Sequence, residues 1–279
     1  MKLRQLGPDC VVSYLSGLIP RFWTSSNRQA YNARQVVREY ASATYLQPPE
    51  RTILDLVAGF MKNGKMLDIG VGGGRTTLHF APLAKEYIGI DYAEKMIEAC
   101  HRRFRPLPPN VSFKVGDAND LSAFRSGYFD FVLASFNCID YSASHDDRFK
   151  TLQEMRRVCR KGGLVCFSTH NLLYGDLFKI RLDKNPFHAV TAVYRYLWLM
   201  VLNGGRKRFA NRDYAWIRDE AHAFSLKTYY ITPLKQLEQL KELGFEGVRI
   251  FRLDGCEVVA GSDLRALRDG WLYYLCTVR

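Results

Sequence analysis

The seven cysteines of this 279-residue chain, Cys10, Cys100, Cys138, Cys159, Cys166, Cys256 and Cys276, are odd in number and include no C-x-x-C pair. That scatter speaks against a disulfide framework and a zinc site, no metal is expected, and the setting it fits is a reducing cytoplasm. Acidic residues are also scarce, with 28 Asp and Glu against 40 Lys and Arg for a net charge of +12. Such a balance suits an acidic partner or surface, and equally a basic solvated exterior. No apolar run is long enough to span a bilayer, the best being residues 189–202. Residues 11–19 are interrupted by Ser13, Ser16 and Gly17 and have no convincing cleavage site, so no signal peptide is read. A hydrophobic fraction of 47% supports one elaborated α/β domain.

The glycine-rich turn also lacks something. A dinucleotide fingerprint G-x-G-x-x-G starting at Gly70 needs a glycine where Arg75 stands, and no Lys-Ser/Thr pair follows to make a phosphate loop. What is present is Met66-Leu67-Asp68-Ile69-Gly70-Val71-Gly72-Gly73-Gly74-Arg75, a short apolar run with an acid that spills into close-spaced glycines. It reads as strand, tight turn and helix start. Two further strands end in acids, residues 86–90 at Asp91 and residues 111–115 at Gly116-Asp117-Ala118. An acid at the tip of the second strand sits beside the glycine turn in a doubly wound sheet, where its oxygens can accept ribose hydroxyls. A fourth strand, residues 128–135, runs into Phe136-Asn137-Cys138-Ile139-Asp140-Tyr141, and a fifth, residues 164–169, follows Lys161-Gly162-Gly163.

These stretches together resemble the class I S-adenosylmethionine (AdoMet) methyltransferases. The likeness rests on the Asp68-Ile69-Gly70 turn, on Asp91-Tyr92-Ala93-Glu94-Lys95-Met96 against the family's D-x-S-x-x-M, and on Arg157-Val158-Cys159-Arg160-Lys161-Gly162-Gly163-Leu164. It departs at Ala93, Cys159 and Lys161, where Ser, Leu and Pro are usual. The resemblance implies a Rossmann-like, doubly wound, seven-stranded α/β sheet, mostly parallel with the last strand antiparallel. It implies AdoMet as cofactor and S-adenosylhomocysteine as its product. The cofactor would be held by Asp68, Gly70, Gly72, Gly74 and Arg75, by Asp91, Tyr92 and Met96, by Asp117 and Ala118 at the adenine, and by Ser135 and Phe136. Tyr40, from an N-terminal segment folded over the cofactor, joins them, although an aromatic on a buried helix face explains it as well.

Residues 1–62 are expected to form that helical cap, with helices over 27–46 and 52–61. Residues 63–171 form the cofactor-binding core, 172–230 an inserted lid, and 231–279 a helix and the last two strands, 245–251 and 271–278. The insertion is basic: residues 172–218 hold nine Lys or Arg against three Asp or Glu. Its apolar helix, residues 189–202, is expected to pack on the core or on a second subunit in a homodimer; a membrane-surface helix and plain structural filler are the alternatives.

The acceptor side is less legible. Nucleic-acid base methyltransferases would be expected to show N/D-P-P-Y/F or a Pro-Cys nucleophile; neither occurs, and Cys138 reads as a small apolar filler. A small-molecule acceptor methylated at O or N is the first expectation, in natural-product or sugar metabolism; an RNA or peptide acceptor using the basic insertion, and a non-catalytic AdoMet-binding protein, are the alternatives. Candidate bases are His170 and His222, the latter with Asp219, followed by His145. Asn137, Asp140, Tyr141, Asn171, Tyr214, Tyr229 and Tyr230 are candidates to bind the acceptor.

Overall fold

Period-two alternation in the central strands decides the architecture. In β1 (Lys65–Ile69), Leu67 and Ile69 enter one buried cluster and Met66 the opposite one, so the strand is covered on both faces, as parallel strands are. The computed structural model describes residues 27–180, 185–220 and 224–279. Sequence expectations for residues 1–26 and for His222 lie outside them.

Parallel to β1 run β2 (Glu86–Asp91), β3 (Val111–Val115), β4 (Phe129–Ala134) and β5 (Cys159–Asn171), in the spatial order β3-β2-β1-β4-β5. Order reverses between β1 and β4, and a ligand crevice is expected at the carboxyl ends of the strands there. One face is covered by α3 (Pro48–Met61) and α5 (Glu94–Arg103), through Ile53, Val57, Met61, Ile97 and Cys100. The other is covered by α6 (His145–Val158) and α8 (Pro233–Glu242), through Leu152, Met155, Val158 and Leu240. The last strand, β9 (Trp271–Val278), is antiparallel to β5 and to β8 (Phe245–Phe251).

Among the helices, one expectation is corrected. The single helix over 27–46 is two, α1 (Asn27–Tyr31) and α2 (Arg34–Ser42); Ala33 is extended (φ −67, ψ 131) and ends the run. After the glycine turn, α4 is a single turn, Thr77–Phe80, which tightens into a 3-10 turn, Ala81–Leu83, around Pro82, a residue without an N–H for the α ladder.

The described sheet has nine strands rather than seven, because the insertion contributes a hairpin of β6 (Tyr214–Ile217) and β7 (Thr228–Ile231). His170 pairs with both Trp271 of β9 and Tyr230 of β7. A residue has only two strand neighbours, so β7 lies on the β4 side of β5, beyond the residue where β4 stops. The hairpin therefore overhangs the carboxyl end of β4. The insertion also supplies α7 (Pro186–Asn203), whose Leu199 joins Ala215, Ile217, Phe224 and Tyr230 in a small core of their own.

Candidate active site

The glycine turn after β1 brings backbone amides to a carboxylate. Gly70 and Gly72 have φ of +66° and +54°, a region that side chains rarely tolerate. This turn aims the Gly72 amide at Asp91 Oδ2 (2.9 Å), while Asp91 Oδ1 accepts from the Ala93 amide (2.8 Å). Burial raises the Asp91 carboxyl above its ordinary range, and the two amides oppose that shift. Asp68 is buried too. Its Oδ2 accepts from Thr76 Oγ1 and Tyr87 Oη, both at 2.5 Å, and burial pushes its carboxyl up to about 6 against those bonds.

Two cavities meet at Gly70. One, of about 170 Å³, is lined by Asp91, Tyr92, Asp117, Ala118 and Tyr141; the other, of about 140 Å³, by Tyr40, Gly72, Arg75, Ser135 and Phe136. Their chemistry suits an elongated ligand with a nucleoside at one end and a charged, compact group at the other. The Tyr92 hydroxyl, in the lining of the first cavity, is buried without a hydrogen-bond partner in the structure, which leaves a polar group for a ligand to satisfy. Tyr31, Tyr40, Tyr92 and Tyr141 wall this side, with the Tyr31 ring edge-on to the other three at 5.6–6.1 Å.

Beside the second cavity lies a buried ion pair. Arg75 Nη1 and Nη2 reach Glu50 Oε2 and Oε1 at 2.5 and 2.6 Å. Glu50 also accepts from Ser135 Oγ and Tyr273 Oη. Burial by itself would raise the Glu50 carboxyl, but the Arg75 guanidinium and Ser135 hydroxyl outweigh it and hold the group below its ordinary value.

A second buried pair lies at the end of β5. Asp140 is fully buried and accepts from Arg148 Nε (3.3 Å), Thr169 Oγ1 (2.7 Å), and the backbone amide and Nδ1 of His170 (2.7 and 2.8 Å). Arg148 spends its remaining donors on Gln239, Gln236 and Thr169 and lies over the Tyr229 ring at 4.6 Å. A carboxylate can only accept, so His170 Nδ1 donates to it, and in the neutral ring Nε2 keeps the lone pair. Nε2 is 3.3 Å from Asn137 Nδ2. Asn137 itself stands in left-handed backbone just past β4 (φ 59°), as does Phe136 (φ 55°). His170 also lines a third cavity, of about 720 Å³, with Trp271, Tyr230, Asp219 and residues of α7.

Residues 66–163 match a family described as a methyltransferase domain. The demethylmenaquinone methyltransferase of Staphylococcus saprophyticus is 33% identical over 203 residues, covering 70% of this chain and 76% of that protein. The chain belongs to the AdoMet-dependent methyltransferases. Ajmaline N-methyltransferase of Rauvolfia serpentina is 35% identical over 115 residues, 39% of this chain and 37% of that one. Several of the curated methyltransferases it resembles are spanned to less than half their own length. Among solved structures, the CcbJ methyltransferase of Streptomyces caelestis has a TM-score of 0.60 at 16% identity, over 90% of this chain and 99% of that one. At that identity the likeness supports the fold. AdoMet is the cofactor of this methyltransferase family, and the cavities meeting at Gly70 suit it.

Tyr40, Gly70, Gly72, Arg75, Asp91, Tyr92, Asp117, Ala118, Ser135 and Phe136 all border the two cavities that meet at Gly70. Asp68 borders one, with its Oδ2 turned to Thr76 and Tyr87, so it braces the turn. Met96 is buried against Val37, Ala93 and Ala99 and belongs to the packing of α5 on α2. Gly74 is a packing glycine, since a Cβ there would sit 2.5 Å from the Phe104 ring.

Four acceptor candidates are displaced. Asp140 is fully buried and accepts hydrogen bonds from Arg148, Thr169 and His170. Asn171 is buried and ties the 267–269 loop through its carbonyls. Tyr229 is buried against Arg148 and bonds His145 Nδ1 at 2.8 Å. Tyr214 stacks on His145 at 4.3 Å, away from the large cavity. That engages His145 as well, and burial lowers its imidazole. Tyr141 borders the Asp91 cavity instead. Tyr230 and Asp219 line the large cavity, joined by a 2.8 Å hydrogen bond. Cys138 is a filler: its thiol meets the Ile69 carbonyl at 3.3 Å, and burial pushes it well up.

Sequence reasoning missed Glu50, Gly73 and Arg148. A glutamate three residues into a Pro-Pro helix start reads as a capping residue, and Glu50 does accept from the Gln47 amide. Gly73 carries a signal only once α2 is in place, because a Cβ there would lie 2.4 Å from the Ala41 nitrogen. Arg148 looks like any arginine on an exposed helix.

Proposed function

We propose that the protein transfers a methyl group from AdoMet to an oxygen or nitrogen nucleophile of a small molecule, with His170 as the general base. The observation carrying this reading is the 2.8 Å contact between His170 Nδ1 and buried Asp140, on a histidine that lines the large cavity. When bound, AdoMet supplies an electrophilic methyl on a sulfonium. The chain's part is alignment, exclusion of water and proton removal. Asp91, Asp117 and Tyr92 hold the nucleoside end, and Arg75 with the glycine turn the amino-acid end. The acceptor enters the large cavity beneath the β6–β7 hairpin and α7, which act as a lid. As the nucleophile develops, His170 Nε2 takes its proton, displacing the weak contact from Asn137. Asp140 holds the ring and balances the imidazolium charge, while Arg148 compensates Asp140.

Asp176, Asp219, Glu220 and Asp269 face Lys179 and Arg195 in the cavity lining. The acidic excess favours a neutral or cationic acceptor over a polyanion such as RNA. A natural-product or sugar intermediate fits this cavity. To test the reading, purified protein is incubated with AdoMet and panels of amines, phenols and sugars, and S-adenosylhomocysteine is measured. Turnover should appear, and His170→Ala should lower kcat/KM by about 10²–10⁴-fold with S-adenosylhomocysteine affinity unchanged. Wild-type rates in His170→Ala would remove the base. Cofactor binding with no turnover on any panel would point to a binding-only protein, and salt-dependent RNA binding would reopen the RNA reading.

A further inference from the structure

The helix α7 is amphipathic in an inverted sense. Val190, Val193, Leu197 and Val201 recur every three or four residues and are 70%, 37%, 56% and 75% exposed, and that spacing places them in one stripe along a helix. The opposite face holds Thr191, Ala192, Arg195 and Leu199, which line the large cavity. Arg195, the helix's single charged residue, points inward and pairs with Glu220 at 3.3 Å. The outward face of α7 thus carries apolar side chains and no charge. A run of this kind is uncommon on a protein surface unless something covers it.

The end of the helix indicates what covers it. Three residues past Asn203 a 3-10 turn opens with Arg206, Lys207 and Arg208, all three exposed, and Arg212 follows. The turn folds back on the helix, since a Cβ at Gly205 would lie 2.7 Å from Met200 Cε. An exposed apolar stripe on a helix that runs on into an exposed cluster of cations is the pattern of a segment lying in a membrane interface, with apolar side chains at the acyl boundary and cations among headgroup phosphates. No helix among the described residues is long and apolar enough to cross a membrane, so the contact is peripheral.

We infer that the outward face of α7 and the basic turn behind it dock the protein on an anionic lipid surface. The same helix walls the large cavity. On the methyl-transfer reading, on which this consequence rests, an acceptor partitioned in lipid can reach His170 without crossing bulk water.

The test is sedimentation of the full chain with vesicles of phosphatidylcholine alone or with an equal part of phosphatidylglycerol. Wild type should pellet with the anionic vesicles and release in high salt. Val190→Asp with Val201→Asp, and separately Arg206→Ala with Lys207→Ala and Arg208→Ala, should each weaken binding by about tenfold or more. Circular dichroism and S-adenosylhomocysteine calorimetry on the same variants report folding and the cofactor site. Unchanged cofactor binding with lost vesicle binding supports the docking face. Absence of vesicle binding by wild type, or binding indifferent to both sets of substitutions, overturns it. So does light scattering that shows a dimer split by Leu197→Asp without vesicle binding, which would give the face to a second copy. Loss of S-adenosylhomocysteine binding by wild type would count against the methyltransferase reading and leave the vesicle result standing.

Discussion

Two buried carboxylate–guanidinium pairs lie at the carboxyl edge of the sheet, and their surroundings differ. In the Glu50–Arg75 pair, Arg75 borders the cavity at the glycine turn, with its side chain 12% exposed. Asp140–Arg148 is sealed, at 0% and 1%, and its carboxylate turns to a histidine. The first pair can exchange partners with a ligand, because a cation at a cavity wall can serve a second anion. The second is closed on every side by Thr169, Gln236, Gln239 and Tyr229, so it can only orient what it touches. A buried pair at a cavity wall is open to a ligand, and one sealed behind a histidine serves geometry.

Removing one partner of each separates these roles. Arg148→Met strands Asp140 in the core and should destabilise the fold by about 3–5 kcal/mol in urea unfolding. Arg75→Met, at a wetter site, should cost less stability and weaken S-adenosylhomocysteine binding. Equal stability losses would erase the distinction. A smaller effect is expected from Asp91→Ala, which removes the acceptor of the Gly72 and Ala93 amides and the ribose candidate. Calorimetry should show S-adenosylhomocysteine affinity weakened by about 1–3 kcal/mol, and an unchanged affinity would sink the ribose assignment.

A pH-dependent effect concerns Asp68, whose carboxyl is raised to about 6. A raised acid means that the folded state holds its proton more tightly than the unfolded chain. Stability therefore falls as pH rises between about 4 and 6, and the penalty is fully present above that window. Asp68→Asn removes the titration, and its weaker hydrogen bonds act equally at every pH. The variant should gain about 2 kcal/mol relative to wild type on going from pH 4 to pH 7 in thermal unfolding. A difference independent of pH would show that Asp68 stays ionised in the fold.

The readable parts of this molecule are those in which local rules and function agree. Asp68, Gly70, Gly72, Asp91 and Asp117 each combine a strand end or a turn with a place in a cavity lining within a few residues, so spacing alone brought them together. The same reasoning misplaced Met96 and Gly74, because a helix face and a turn glycine look alike whether they meet a ligand or another helix. On the acceptor side, Asp140, Asn171 and Tyr229 sit among polar and aromatic residues that suggest a binding surface, yet all three are buried.

What the sequence determined by itself was the sheet, its two-sided burial and the family, since these rest on period-two patterns and short-range turn chemistry. Only the tertiary structure decided which polar residues face a cavity. His170 and Asp140 are 30 positions apart, and Glu50 and Arg75 lie 25 apart. Pairings over such distances follow from strand order and from the β6–β7 hairpin standing in line beyond β4. The outward stripe of α7 belongs with them: its spacing is written in the chain, but which face turns to solvent was fixed by the small core that Leu199 joins.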